Sequence, residues 1–141
     1  MKKHSLVILA SIVVASFLST GAGVIFPDLQ KKDLGVGPVK NVVLGPLNAK
    51  MAADGKVLFT SKCTLCHEID QKKIGPPLRN ITKDRAPEYI MNLIVNSVQM
   101  QKEDPAVREL IKKYNNVIMP PPGLNQAQAR SVLEYLRSVA K

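Results

Sequence analysis

The sequence predicts an all-α domain of four to five helices, and three observations predict it. Segments between residues 48 and 141 repeat apolar side chains three and four positions apart, the spacing that stripes one face of a helix. No strand pattern alternates with these segments, and prolines and glycines break the stretches between them. A Cys-x-x-Cys-His run, Cys63-Thr64-Leu65-Cys66-His67, follows directly on the first helical segment.

In chain order, residues 1–26 have the form of a targeting segment. Lys2 and Lys3 precede an apolar run from Leu6 to Leu18 broken only by small residues such as Ser11 and Ser16. Thr20-Gly21-Ala22 offers a small-residue cleavage site. If it is not cut, Ser5 to Phe26 approaches the roughly 20 apolar residues that span a bilayer. The segment is therefore a signal peptide or an uncleaved N-terminal anchor, and either sends the chain to the periplasm. No cysteine stands directly after the apolar run, which excludes a lipid anchor there.

Residues 27–47 contain Pro27, Pro38 and Pro46 with Gly35, Gly37 and Gly45, a composition that opposes a helix. They are expected to be a linker holding the domain off the membrane, with Val42-Val43-Leu44 as an alternative short extended piece packing on it. The domain itself is residues 48–141.

Asn48 is the expected N-cap of a helix from about Ala49 to Ser61. Its apolar face is Met51, Gly55, Leu58 and Phe59. Gly55 costs about 1 kcal/mol against Ala within a helix, so a close helix contact is expected there. The Cys-x-x-Cys-His run comes next, and this is the attachment signature of a c-type haem. Two cysteines three apart on a helical turn face the same way, so both sulfurs can add to the two vinyl groups of one haem edge. His67 then lies beneath the ring as proximal ligand. A thioredoxin-like pair would sit in a βαβ pattern, and a zinc site would need further ligands. The other histidine is His4, in the targeting segment.

After a charged loop comes Ile74-Gly75-Pro76-Pro77-Leu78, whose paired prolines make a stiff, extended backbone. A carbonyl there could hold the second nitrogen of His67, or the stretch could be an ordinary turn. A second helix is expected from Pro87 to about Gln101 with Ile90, Leu93, Ile94 and Val98 as its stripe. Asp104 caps a third, Pro105 to about Tyr114, with Val107, Leu110, Ile111 and Tyr114 on one face and Asn115-Asn116 as its stop. Val117 to Gly123 cannot be helical. Asn125 and Gln128 have capping-box spacing at the start of the last helix, striped by Ala129, Val132, Leu133 and Leu136.

The exported part holds no histidine besides His67, which excludes bis-histidine ligation, and the thioether candidates for the sixth position are Met51, Met91, Met100 and Met119. Met51 and Met91 lie within apolar helical faces, and Met100 ends a helix before charged residues, where a surface position is expected. Met119 stands between Val117-Ile118 and three prolines, whose stiffness suits a weak neutral ligand, and is the expected choice.

The 141 residues carry a net charge of +9, aromatics make up 4%, and Trp is absent. So thin a supply of large core side chains suits a domain built around a haem. Lys62, Lys72, Lys73, Arg79, Lys83 and Arg85 surround the attachment motif in sequence. They are either a solvated loop surface or a ring about the haem edge that attracts a redox partner with an acidic docking patch. A periplasmic chain does not meet nucleic acid.

From Asn48 to Lys141 the chain resembles the monohaem class I cytochromes c. The resemblance rests on Gly55 and Phe59, Cys63-Thr64-Leu65-Cys66-His67, Gly75-Pro76-Pro77-Leu78, Met119-Pro120-Pro121 and Leu133-Glu134-Tyr135-Leu136. It implies a cytochrome c-like fold whose first and last helices cross near a right angle, Gly55 and Phe59 meeting Leu133 and Leu136. It also implies that the Pro76 carbonyl partners His67, and that Tyr89 donates to a haem propionate in place of the family's frequent Trp. The function it implies is a one-electron carrier in a bacterial respiratory chain, not an enzyme, with one haem c held by Cys63 and Cys66. More loosely, the chain looks like small periplasmic cytochromes that serve terminal reductases such as nitrous oxide reductase. The alternative is a ligand-binding or peroxidatic haem protein with a displaceable sixth ligand, and a second rival is a thiol-disulfide oxidoreductase without haem.

Overall fold

A computed structural model describes residues 33–141. Six helices and no strands are found among them: α1 (Ala49–Lys62), α2 (Ile81–Asp84), α3 (Pro87–Val95), α4 (Ser97–Glu103), α5 (Pro105–Lys113) and α6 (Gln126–Val139). Residues 1–26, the expected targeting segment, lie outside the described residues. No helix among the described residues is long and apolar enough to cross a membrane.

The caps expected from the sequence are formed. The Asn48 side chain accepts from the Met51 amide at 2.9 Å, and that of Asp104 accepts from Val107 at 3.0 Å. Asn125 and Gln128 close a reciprocal capping box at the start of α6. Each satisfies helix N–H groups that have no intrahelical partner. Asn115 and Asn116 both take positive φ, 57° and 60°, which ends α5 and turns the chain toward Met119.

The most extensive helix contact is between α1 and α6. Gly55 allows it: a Cβ placed there would lie 1.9 Å from the Ser131 carbonyl oxygen. The glycine therefore meets backbone at Ser131–Val132, directly before Leu133 and about one turn before Leu136, the leucines that the resemblance implied. Phe59 lies in one buried cluster with Val132, Leu133 and Leu136, and its ring is 5.2 Å from that of Tyr135.

The expected single helix from Pro87 to Gln101 is two. The chain leaves helical geometry at Asn96 (φ −138°, ψ 36°). The break shifts the phase of the apolar stripe, so Val98 is 61% exposed while Met100 is fully buried, the reverse of the expectation for both. The short α2 was not anticipated, because one turn is too short to show a period.

Residues 33–47 also differ from the expectation of a spacer. They form a strap without regular structure that packs on α3, α4 and α6. Asn92, fully buried, holds it at three points: Nδ2 donates to Leu34 O (2.8 Å) and Val39 O (2.9 Å), and Oδ1 accepts from Val39 N (2.9 Å). Asn96 Nδ2 donates to Val36 O at 3.2 Å, which gives the asparagine at the helix break a partner. Val39 itself is buried. Farther along, Glu134 accepts from Arg130 and Arg137 (both 2.7 Å), and these arginines donate to the carbonyls of Val43 (3.0 Å) and Gly45 (2.9 Å). Burial pushes the Glu134 carboxyl up, but hydrogen bonds from Arg130, Arg137 and the Asn48 amide outweigh it and hold the group below its ordinary value.

Candidate haem site

α1 ends at Lys62, and hydrogen-bonded turns carry the chain on into the attachment motif. Cys63 N donates to Phe59 O at 2.8 Å and His67 N to Cys63 O at 2.9 Å, so the five residues wind through one further turn. The chain then folds back: Gly75 N donates to Cys66 O at 2.8 Å and Lys73 Nζ to Thr64 O at 2.8 Å. This return brings the Pro76 carbonyl to 2.9 Å from His67 Nδ1, the carbonyl that the resemblance assigned to that histidine. With Nδ1–H donating to Pro76, the lone pair of the neutral imidazole lies on Nε2, the nitrogen then available to a metal. Gly75 has a packing role in this arrangement. A Cβ there would lie 2.5 Å from His67 Cε1, so a larger residue would push the loop away from the imidazole.

Cys63, Cys66 and His67 line one large open cavity, whose empty space is about 1280 Å³ with its mouth included. Its walls come from α1, α3, α5, α6 and the loop after α5, and include Phe59, Ile94, Leu110 and Val132. The polar side chains that line it are Lys62, His67, Gln101 and Tyr114. Burial, and then the neighbouring Cys66, push the free Cys63 thiol up to about 11, so it stays protonated at neutral pH. The residues fit a haem. Two thiols one turn apart and an imidazole with its orientation fixed share a mainly apolar space. The haem would complete the core that the aromatic-poor sequence lacks.

Met119 also lines this cavity, whereas Met51, Met91 and Met100 do not. Met100 is fully buried in a separate cluster with Tyr89 and Val107, where its Sδ lies 2.9 Å from the Val36 amide. The sequence-expected ligands His67 and Met119 are thus brought together with both attachment cysteines. Tyr89 is not. It is 1% exposed, lies outside the cavity lining, and its hydroxyl donates to Asp104 Oδ1 at 3.1 Å. The propionate role implied by the resemblance is therefore corrected: this tyrosine ties α3 to the start of α5, because Asp104 already sits there as a cap. Burial pushes its phenol up, reinforced by the Asp104 carboxylate.

Of the basic residues around the motif, Lys62 lies at the cavity and Lys72 Nζ stands 5.0 Å from the centre of the Tyr114 ring, which also lines it. Lys73 reaches Glu68 at 3.7 Å. Arg79 is engaged elsewhere: it pairs with Asp70 and donates to Val139 O at 2.5 Å. Its hydrogen bond to Asp70 holds that carboxyl below its ordinary value. Arg85 pairs with Asp33 at 3.4 Å and stacks over Tyr89.

Sequence reasoning passed over Gln101, whose side chain bonds the Met119 backbone at both its N–H and its carbonyl. A glutamine near the end of a helix carries no local signal of such a contact. Asn92 was missed for the same reason.

A fold of helices around a covalent attachment motif, with His67 held from behind and a thioether in the same cavity, defines a monohaem c-type haem protein. Residues 52–140 match the family model described as cytochrome c, and the chain belongs to that family. Among solved structures, a cytochrome c from Rhodothermus marinus is 45% identical, with a TM-score of 0.72 over 74% of this chain and 90% of that one. An engineered form of the Rhodothermus marinus protein, solved bound to a carbene intermediate, is 45% identical at a TM-score of 0.68, with the same coverage of 74% and 90%. The cytochrome c domain of a Pseudomonas putida protein is 27% identical, with a TM-score of 0.55 over 60% of this chain and 85% of that one. No curated protein sequence matches. Family and fold make the chain a haem-based electron carrier with one covalent haem c on Cys63 and Cys66.

Proposed function

We propose that the protein is a one-electron carrier of a bacterial respiratory chain, working in the periplasm with His67 and Met119 as axial ligands. The observation that carries this reading is the common cavity of Cys63, Cys66, His67 and Met119, with the imidazole oriented by Pro76. A bound haem supplies the Fe(II)/Fe(III) couple, and a soft thioether ligand favours Fe(II) and so raises its potential. With His67 and Met119 both holding the iron, no coordination position would be left for a substrate, and the chain's residues would enclose the group and leave its edge for electron exchange.

The partner is a redox protein with an acidic docking patch. Lys62 at the cavity and Lys72 over Tyr114 support this, since positive charge beside the exposed edge raises encounter rate without prolonging the complex. A periplasmic terminal reductase such as nitrous oxide reductase is the acceptor we favour. The apolar run behind Lys2 and Lys3 supports export, and residues 5–26 would tether the domain to the inner membrane if left uncut.

Met119→Ala tests the ligation. The haem should stay attached, the weak red-end band of Met-ligated ferric haem should vanish, the ferrous form should bind carbon monoxide, and the potential should fall. Persistence of that band in Met119→Ala would overturn the reading. Carbon monoxide binding by the unaltered ferrous protein would favour a displaceable sixth ligand instead.

A further inference from the structure

The segment that carries Met119 has little to hold it. Residues 117–124 contain no helix or strand, and Pro120, Pro121 and Pro122 have no backbone N–H to donate. The last bonds tying this segment to α5 are Asn116 N to Ile111 O (2.8 Å) and Val117 N to Tyr114 O (3.1 Å). Ile118, just before the methionine, is 65% exposed. Among the described residues, the next backbone anchor is the Gln101 side chain.

That anchor is a two-point amide bond. Gln101 Oε1 accepts from Met119 N at 2.8 Å, and Nε2 donates to Met119 O at 2.7 Å. The second proton on Nε2 goes to Ser97 O, one helical turn back, at 2.9 Å. Both donors and the acceptor are engaged, so the amide has one satisfied orientation; rotated by half a turn it would set donor against donor. Its base is fixed as well. Met100, the preceding residue, is fully buried, with its Sδ 2.9 Å from Val36 N in the strap. Gln101 thus adds the rigidity of α4 and the strap to a loop that, between Val117 and the buried Leu124, makes no backbone–backbone hydrogen bond of its own among the described residues.

Holding both the N–H and the carbonyl of one residue sets the position and rotation of its Cα, and so the direction in which its side chain leaves. For a neutral thioether, a weak ligand, such preorganisation decides how often the bond to iron opens. We propose that Gln101 is the positioning residue for the sixth iron ligand, clamping the Met119 backbone so that the thioether stays directed at the metal. This rests on the reading of Met119 as ligand, and the test separates the two.

The test uses the full-length holoprotein as Gln101→Leu and Gln101→Glu, with Gln99→Leu as a control on the exposed side of the same helix and Met119→Ala as the ligand control. Gln101→Glu keeps an acceptor for Met119 N–H while losing both donors, and serves if the leucine variant fails to fold. The readouts are the red-end ferric band, the midpoint potential, and the rate at which added imidazole displaces the thioether. The Gln101 variants should weaken the band, lower the potential and speed imidazole binding by about ten-fold or more, the factor expected from losing two hydrogen bonds. Gln99→Leu should match the unaltered protein. If Met119→Ala loses the band but the Gln101 variants bind imidazole at the unaltered rate, even with a lower Tm, the clamp is refuted and the ligation stands. A band that survives in Met119→Ala would remove the ligand reading and this proposal with it.

Discussion

Gly55→Ala offers a test in which helix propensity and packing predict opposite signs. In an isolated helix the substitution is favourable by about 1 kcal/mol. Here the new methyl would sit 1.9 Å from Ser131 O, 2.4 Å from Ser131 C and 3.0 Å from Val132 N. Ordinary contact between such atoms begins near 3.5 Å, so α1 and α6 would have to separate locally by roughly 1.5 Å. The obstructing atoms are backbone and cannot rotate away as a side chain could. Separation also loosens Phe59 against Val132, Leu133 and Leu136, which share the cluster. Overpacking of this kind costs about 1–3 kcal/mol, occasionally more. With a rigid obstruction and a core pulled apart, the net expected after the propensity gain is a loss of about 2 kcal/mol, or roughly 8–16 °C in Tm for a domain of this size. The assay is thermal unfolding of the ferric holoprotein followed by far-UV circular dichroism, with Lys56→Ala on the exposed face as control, expected within about 0.5 kcal/mol of the parent. A Gly55→Ala protein as stable as the parent, or more stable, would refute the close approach of the two helices.

Expressed without haem attachment, or as Cys63→Ala/Cys66→Ala, the chain should be largely unfolded or molten, since so much apolar wall faces the haem cavity; sharp, dispersed amide resonances would contradict this. Glu134→Gln should cost about 1–3 kcal/mol at neutral pH, because it weakens the bonds to Arg130 and Arg137 that also hold the strap. The Glu134 pKa is lowered on folding, so its contribution is complete above the unfolded value near 4.3 and fades as pH falls through the folded value. Denaturant midpoints of the two proteins should therefore converge in acid, and a constant gap down to pH 2.5 would count against the assignment. Electron transfer to the physiological partner should slow as salt shortens the Debye length from about 10 Å at 0.1 M to about 3 Å at 1 M. Lys72→Glu/Lys73→Glu should lower the second-order rate and leave the potential unmoved; stopped-flow rates flat or rising with salt would indicate an apolar docking face instead.

What the sequence by itself determined is what depends on short spans of chain. The attachment motif is such a case, since three residues at fixed offsets on one turn, two cysteines and a histidine, settle both thioethers and the proximal imidazole. Helix starts at Asn48, Asp104 and Asn125 are another, because a cap and the amides it satisfies lie within three residues of one another. Gly55 was legible as a contact because a glycine within an apolar helical face has no local benefit. The remaining features were decided by the tertiary structure, and they share a physical cause. Met100 turned inward because the helix breaks at Asn96, and that asparagine reaches a strap 60 residues earlier in the chain. Tyr89 turned to Asp104, which local reading had already used as a cap. Gln101 found the Met119 backbone 18 residues away. In each case a side chain had to satisfy its hydrogen bonds with whatever group the fold brought within about 3 Å, and periodicity records only which face is buried, never which distant carbonyl, amide or carboxylate will be waiting there.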